Sequence, residues 1–179
     1  RLPLEAEACL RLSRLLIDPI LSFGYQIVQP PLVEYEASLT ANLKINKQQL
    51  LRVIDPLSGE MLGIRSDMTG QIGRIATSRL AHQARPLRLA YQGPVVNLLA
   101  RELQPLRESL QIGAELIGCD SVAAAGEIIT VALTALQATG IGKLTLDLTM
   151  PDAVDILARD LSPPELEQLK ARLDAKDVA

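Results

Sequence analysis

Apolar and polar residues alternate with two different periods along this chain, and each change of period marks a new element. In residues 3 to 22, Cys9, Leu12, Leu16 and Ile20 recur at helical intervals, with Glu5, Glu7, Arg11 and Arg14 elsewhere, which predicts an amphipathic helix. Pro3 suits its first turn, Pro19 interrupts it near the end, and Gly24 suits its C-terminal cap. Residues 25 to 29 read as a short strand, ended by Pro30 and Pro31 because neither can donate to a ladder. A connection follows over 32 to 43, with helical character around 34 to 40 and a polar stretch from 42 to 49. Residues 51 to 55 and 61 to 65 are two short strands around the turn-forming Pro56-Leu-Ser-Gly59, hence a hairpin. Ser66 or Asp67 can cap a helix over 69 to 80, with Ile72, Ile75, Ala76 and Leu80 on one face.

The period then returns to two. Residues 87 to 91 and 93 to 96 form the next strand, 97 to 106 a connector, and 107 to 118 a strand antiparallel to it. In that last strand Leu110, Ile112, Ala114 and Leu116 point one way, and Gln111, Gly113, Glu115 and Ile117 the other. Residues 121 to 138 form a helix capped by Ser121. Residues 143 to 149 alternate strictly, with Leu144, Leu146 and Leu148 against Lys143, Thr145, Asp147 and Thr149, the clearest strand pattern in the chain. Helices over 151 to 158 and 163 to 173 end it. Hairpins and short connections predict an α+β fold, an antiparallel or mixed sheet flanked by helices, because a doubly wound sheet would alternate strand and helix more regularly.

Composition narrows the partners. The 179 residues fit one domain, or one domain with a small appendage, and 48% hydrophobic residues are ample for a core. That core must be aliphatic, since Phe23, Tyr25, Tyr35 and Tyr91 are the only aromatic residues. Few rings, a net charge of −3 and a pI near 5.2 argue against a nucleic-acid partner. Cys9 and Cys119 lack metal-site spacing and read as buried small hydrophobes, which fits a reducing cytoplasm. No signal peptide and no apolar run of about 18 residues is present, so no membrane span is expected. The abrupt start at Arg1 reads as part of a longer chain.

Two stretches carry candidate chemistry. Gln111 and Glu115 share a strand face about 13 Å apart, with Gly113 leaving a gap between them. Amide, gap and carboxylate can grip a small polar ligand, the carboxylate favouring an ammonium or imidazolium; the pattern alone favours a plain half-solvated strand. Arg65-Ser-Asp-Met-Thr69 sets an anion and a hydroxyl at a helix start, where Asp67 and Thr69 could hold an ammonium or simply cap the helix. His82 is the only histidine and reads as a surface residue. No metal set, no nucleophile–histidine constellation and no Gly-rich phosphate loop is present, so no catalytic residue, metal or cofactor is assigned.

Four segments together resemble the catalytic core of histidyl-tRNA synthetase, a class II synthetase. They are Gly24-Tyr-Gln-Ile-Val-Gln-Pro-Pro-Leu-Val-Glu-Tyr35, Gly63-Ile-Arg-Ser-Asp-Met-Thr69, Pro86-Leu-Arg-Leu-Ala-Tyr-Gln-Gly-Pro94 and Gln111-Ile-Gly-Ala-Glu-Leu-Ile-Gly118. The resemblance implies the class II synthetase-like fold over 1 to 179. It implies that Asp67, Thr69, Gln111 and Glu115 grip histidine, and it leaves Arg107 as a ligand-loop candidate.

The departures bear on function. The family's second signature motif places an arginine shortly after its Gly-Pro pair, to hold the ATP α-phosphate; here Asn97 stands there, and a neutral amide cannot supply that cation. The third motif and the histidine-specific loop are absent from these residues. The pattern is closer to the synthetase paralogues that serve as regulatory subunits of ATP phosphoribosyltransferase, the first enzyme of histidine biosynthesis, through residues 62 to 69, 111 to 118 and the closing Ala175-Lys-Asp-Val178. That implies a non-catalytic, cytoplasmic subunit, a homodimer within a hetero-oligomer with the short catalytic subunit, which activates it and transmits histidine feedback. The alternatives are a histidyl-tRNA synthetase or other amino-acid-activating enzyme, using Arg101 or Arg107 on ATP, and a dimerising scaffold with a vestigial pocket.

Overall fold

The structure is a computed structural model that describes residues 2–40, 50–98, 106–148, 154–156 and 158–174. The expected polar stretch 42 to 49, most of the connector 97 to 106 and the closing motif at 175 to 178 lie outside them. The chain divides into two units, Arg1–Gly142 and Lys143–Ala179.

In the first unit, helix α1 (Pro3–Ser22) leads through Gly24 into β1 (Gln26–Ile27). Gly24 has φ of +84° and its N–H reaches the Leu21 carbonyl, the left-handed helix ending expected of it. The inward stripe of α1 is Ser13, Ile17 and Ile20, with Leu16 at its edge, while Leu12 is 46% exposed. Ser13 tolerates burial because its hydroxyl donates to the Cys9 carbonyl of its own helix at 2.8 Å, leaving no polar atom for the core to satisfy.

Strands β1, β5 (Leu87–Val96) and β6 (Glu108–Ile117) form one mixed sheet in the order β1-β5-β6. β1 runs parallel to β5, and β6 antiparallel to it, pairing Tyr91 with Gly113 and Gly93 with Gln111. Strand β5 runs unbroken through Gly93 and Pro94. Helices cover both faces. On one side α3 (Thr69–Thr77) and the Met68 that precedes it contribute Met68, Ile72 and Ala76 to a core with Leu87, Leu89, Tyr91 and Val95. On the other, α1 and α4 (Val122–Ala138) pack Ile17, Ile20, Val131 and Ala135 against Tyr25 and Ala90. Ser121 caps α4 by accepting from the Ala124 N–H at 3.1 Å, as its position predicts. Arg88 of β5 forks onto both Glu127 oxygens at 2.6 and 2.7 Å, tying α4 to the sheet.

The expected hairpin forms as β3 (Leu51–Ile54) and β4 (Met61–Ile64), closed by Gly59 at φ +73°. A third strand, β2 (Val33–Tyr35), joins β4 where the pattern read only a connection, so α2 (Glu36–Thr40) is a single turn. Gly63 permits this small sheet to close over Leu39 and Leu50, whose side chains stand 2.9 and 2.7 Å from where its Cβ would be.

Arg65 joins the two sheets. It is only 4% exposed, and its guanidinium donates to the Pro94 carbonyl (2.9 Å) and to those of Pro30 (2.6 Å) and Pro31 (3.3 Å). Its backbone N–H donates to Leu32 and its carbonyl accepts from Val96. A buried cation is tolerable only when its donors are met, and here two segments meet them.

In the second unit, residues 143 to 148 belong to no strand, against the expectation for that stretch. Alternation makes a strand only where a ladder partner and an apolar layer exist, and Leu146 and Leu148 are 49% and 71% exposed. Residues 154–156 are helical, and helix α5 (Pro163–Asp174) is capped where Ser162 donates its N–H and hydroxyl to Glu165. Lys170 pairs with Asp155 at 2.7 Å.

Replacing Arg65 with Met should destabilise the first unit by about 2–4 kcal/mol, since it leaves buried carbonyls without donors. Arg65→Lys should recover only part of that, lacking the fork. Urea unfolding checks both; equal stability of the three proteins contradicts the role.

Candidate functional site

The side chains of interest lie on the α3 face of β5 and β6, at the corner where β4 turns into α3. The corner forms because the first amides of α3 find acceptors at once. Asp67 Oδ1 accepts from the Thr69 N–H at 2.7 Å, and Gln111 Oε1 reaches from β6 to accept from the Met68 N–H at 2.9 Å. The same Gln111 amide donates to Asp67 Oδ2 at 2.6 Å. Gln111 therefore welds the start of α3 to β6.

The other half of the cluster runs through Tyr91. Its hydroxyl donates to Glu115 Oε1 at 3.1 Å and lies 3.3 Å from the Thr69 hydroxyl. A carboxylate only accepts, so the tyrosine proton goes to Glu115 and the Thr69 proton to the tyrosine oxygen. Asp67, Thr69, Gln111 and Glu115, expected from sequence as one site, are thus brought together by two short hydrogen-bonded chains. Thr69 is exposed and the other three half-buried, so the cluster opens to solvent.

Arg107 is not drawn in. It stands exposed at the opening end of β6, where its carbonyl accepts from the Asn97 N–H at 2.8 Å and extends the β5–β6 ladder by one bond. None of the described hydrogen bonds joins its side chain to the cluster. Arg101 lies outside the described residues. His82 is exposed. Cys119 is also exposed, with its sulfur 3.4 Å from the Ser121 hydroxyl, so its expected burial is corrected; it follows Gly118, where β6 has already left the core. Among the described residues no group of three or more His, Cys, Asp or Glu could hold a metal ion.

The gap expected over Gly113 is not open. A Cβ there would stand 2.4 Å from the Tyr91 ring and hydroxyl, so the tyrosine occupies it. Tyr91 is the site residue that the sequence reasoning missed. Its signal was the antiparallel register, which sets a tyrosine opposite a glycine. Burial pushes the Tyr91 hydroxyl up to about 12; the neighbouring Glu115 charge adds to the rise, and the Thr69 hydrogen bond opposes it.

The family model described as histidyl-tRNA synthetase matches residues 1–179. The chain belongs to the histidyl-tRNA synthetase family. Among its relatives are proteins named ATP phosphoribosyltransferase regulatory subunit from Rhodospirillum centenum (strain ATCC 51521 / SW), 39% identical over 99% of this chain and 47% of the relative, and from Laribacter hongkongensis (strain HLHK9), 41% identical over the same shares. A solved structure from Bacillus halodurans C, described as an ATP phosphoribosyltransferase regulatory subunit/histidyl-tRNA synthetase, superposes with a TM-score of 0.86 at 30% identity, covering 98% of this chain and 46% of that one. Histidyl-tRNA synthetase from Nostoc sp. PCC 7120 shares the fold, with a TM-score of 0.81 over 100% of this chain and 42% of its own, at 17% identity. The class II synthetase-like α+β fold is therefore established. The chain spans about half the length of the curated relatives it matches. Among the described residues no helix is long and apolar enough to cross a membrane.

The raised Tyr91 pKa has a measurable consequence. An unfolded tyrosine ionises near 10 and the folded one at about 12, so above pH 10 the unfolded chain releases a proton the folded chain keeps. Stability should be insensitive to this group below about pH 10 and fall as pH rises from 10 to 12. Unfolding free energies measured across that range should show a shallower slope in Tyr91→Phe; equal slopes would contradict the buried, neutral phenol.

Proposed function

We propose that this chain is the synthetase-like core of a regulatory subunit of ATP phosphoribosyltransferase. It has no catalytic residue of its own. It binds histidine at Asp67, Thr69, Gln111 and Glu115, forms a homodimer within a hetero-oligomer, activates the short catalytic subunit, and carries histidine feedback to it in the cytoplasm. The observation that carries the reading is the coexistence of an intact accepting cluster with Asn97 at the end of β5, where the synthetase resemblance calls for an arginine. After their internal bonds, the oxygens of Asp67, Thr69 and Glu115 have only accepting capacity left, and one N–H of Gln111 remains to donate. Such a set suits an ammonium and an imidazole N–H. None of these side chains is a cation, so the cluster itself offers nothing to hold a polyphosphate. The relatives' names support the regulatory assignment.

The synthetase reading rests on the family model and on the structural neighbours. It requires Arg101 or Arg107 to replace the missing cation, and histidine-dependent ATP–pyrophosphate exchange by the full-length protein would favour it.

Feedback needs histidine to bind the active and inactive assemblies with different affinity. Reconstitution tests the proposal. Adding the full-length protein to purified short catalytic subunit should raise phosphoribosyl transfer, and histidine should lower it again. Glu115→Ala should require at least about tenfold more histidine for the same inhibition, the loss expected for a hydrogen bond between charged partners. Unchanged transfer on adding the protein would sink the proposal.

A further inference from the structure

We propose that Tyr91 is a positioning and specificity-determining residue of this pocket: it fixes the direction of the hydrogen-bond chain, so that the pocket accepts a ligand with a protonated amine and discriminates against the same ligand without it. The proposal rests on the histidine-binding reading above and adds what makes that site selective.

A threonine hydroxyl is ordinarily free to rotate and can donate or accept, so by itself it does not distinguish an ammonium from an acceptor. Here it is not free. The Tyr91 oxygen lies 3.3 Å from Thr69 Oγ1 and 3.1 Å from Glu115 Oε1. Because Glu115 can take only a proton donor, the tyrosine proton is committed there, and the Thr69 proton is committed to the tyrosine. Both ends of the chain are left with lone pairs only. Asp67 reinforces the pattern, since each of its oxygens already accepts an N–H, from Thr69 and from Gln111.

The orientation holds because the phenol cannot swing away. Tyr91 is 3% exposed and belongs to the core with Met68, Ile72 and Leu89. Across the ladder its ring fills the space that Gly113 leaves, where any Cβ would clash at 2.4 Å. A ligand ammonium brings several donors to this row of acceptors. A ligand ending there in hydrogen bound to carbon brings none, and the Thr69 oxygen stays unmatched.

Affinity measurements on the full-length protein test this with histidine and with imidazolepropionate, which lacks the amine. Wild type should prefer histidine. Tyr91→Phe keeps the ring over Gly113 and removes only the hydroxyl. It should weaken histidine about tenfold, as for one hydrogen bond to a charged group, and leave imidazolepropionate within about twofold, so the preference contracts about tenfold. Gly113→Ala, which displaces the ring, should contract it in the same direction; should that variant misfold, Tyr91→Phe decides alone. Equal weakening of both ligands would mean a merely structural tyrosine and overturn the proposal, as would an unchanged ratio. A wild type that ignores millimolar histidine would overturn the pocket reading together with it. A wild type that binds, beside a Tyr91→Phe of unaltered preference, would overturn the tyrosine's role alone.

Discussion

A buried guanidinium sets the geometry on which the rest of the first unit depends. Arg65 sits where β4 ends and α3 is about to begin, and it binds carbonyls of Pro30, Pro31 and Pro94 from two other segments. Prolines offer an acceptor with no N–H, so these positions supply the oxygens a buried cation needs without adding donors of their own. Burial disfavours the charge and pulls the Arg65 pKa below the ordinary arginine value, while Glu34 opposes the fall. Arg65 thereby ties the small sheet to the large one. Asp67 and Thr69 follow directly after it and meet the face of β5 and β6.

Two glycines on that face make the delivery possible. Gly93 lies opposite Gln111, and Gly113 opposite Tyr91. A Cβ at Gly93 would stand 2.3 Å from the Arg65 guanidinium, and one at Gly113 would stand 2.4 Å from the Tyr91 phenol. Each glycine clears room for one polar side chain from a neighbouring element. Arg65 fills the space over Gly93, and the Tyr91 ring fills that over Gly113, between Gln111 and Glu115 along β6. Neither glycine is needed for a left-handed backbone. Both are needed for close approach.

The sequence pattern was strongest where an element's partners lie close along the chain. The β3–β4 hairpin, the β5–β6 pair and the Ser121-capped helix are all local, and turn chemistry and alternation were enough to read them. It was weakest where the outcome depends on distant partners. Strand β2 exists because β4 offers it an edge, which no local property of Val33 to Tyr35 announces. Residues 143 to 148 have a perfect alternation and no strand, because a pattern supplies a face and not a ladder. In α1 the buried stripe runs through Ser13 and not Leu12, and the serine tolerates burial because it is bonded to its own helix. At the site, the four residues named from resemblance do come together. The meaning of Gly113 was inverted, from an open gap to a filled one, because side-chain reach across a ladder depends on register. Arg107 falls at the far end of the strand, where its backbone and not its side chain has an assigned contact.

We propose that the synthetase-like fold has here kept a ligand-recognising corner, while Asn97 stands where the synthetase resemblance calls for a phosphate-binding arginine. On this proposal the two tasks fall on different parts of the β5–β6 pair: the accepting cluster sits along its middle, and Asn97 lies beyond its open end. Calorimetric titration of the full-length protein with histidine, in the absence of ATP, tests this most directly. Saturable binding is expected, and Glu115→Ala should abolish it or weaken it at least about tenfold. No heat of binding at millimolar histidine would contradict it and leave the cluster as a structural remnant.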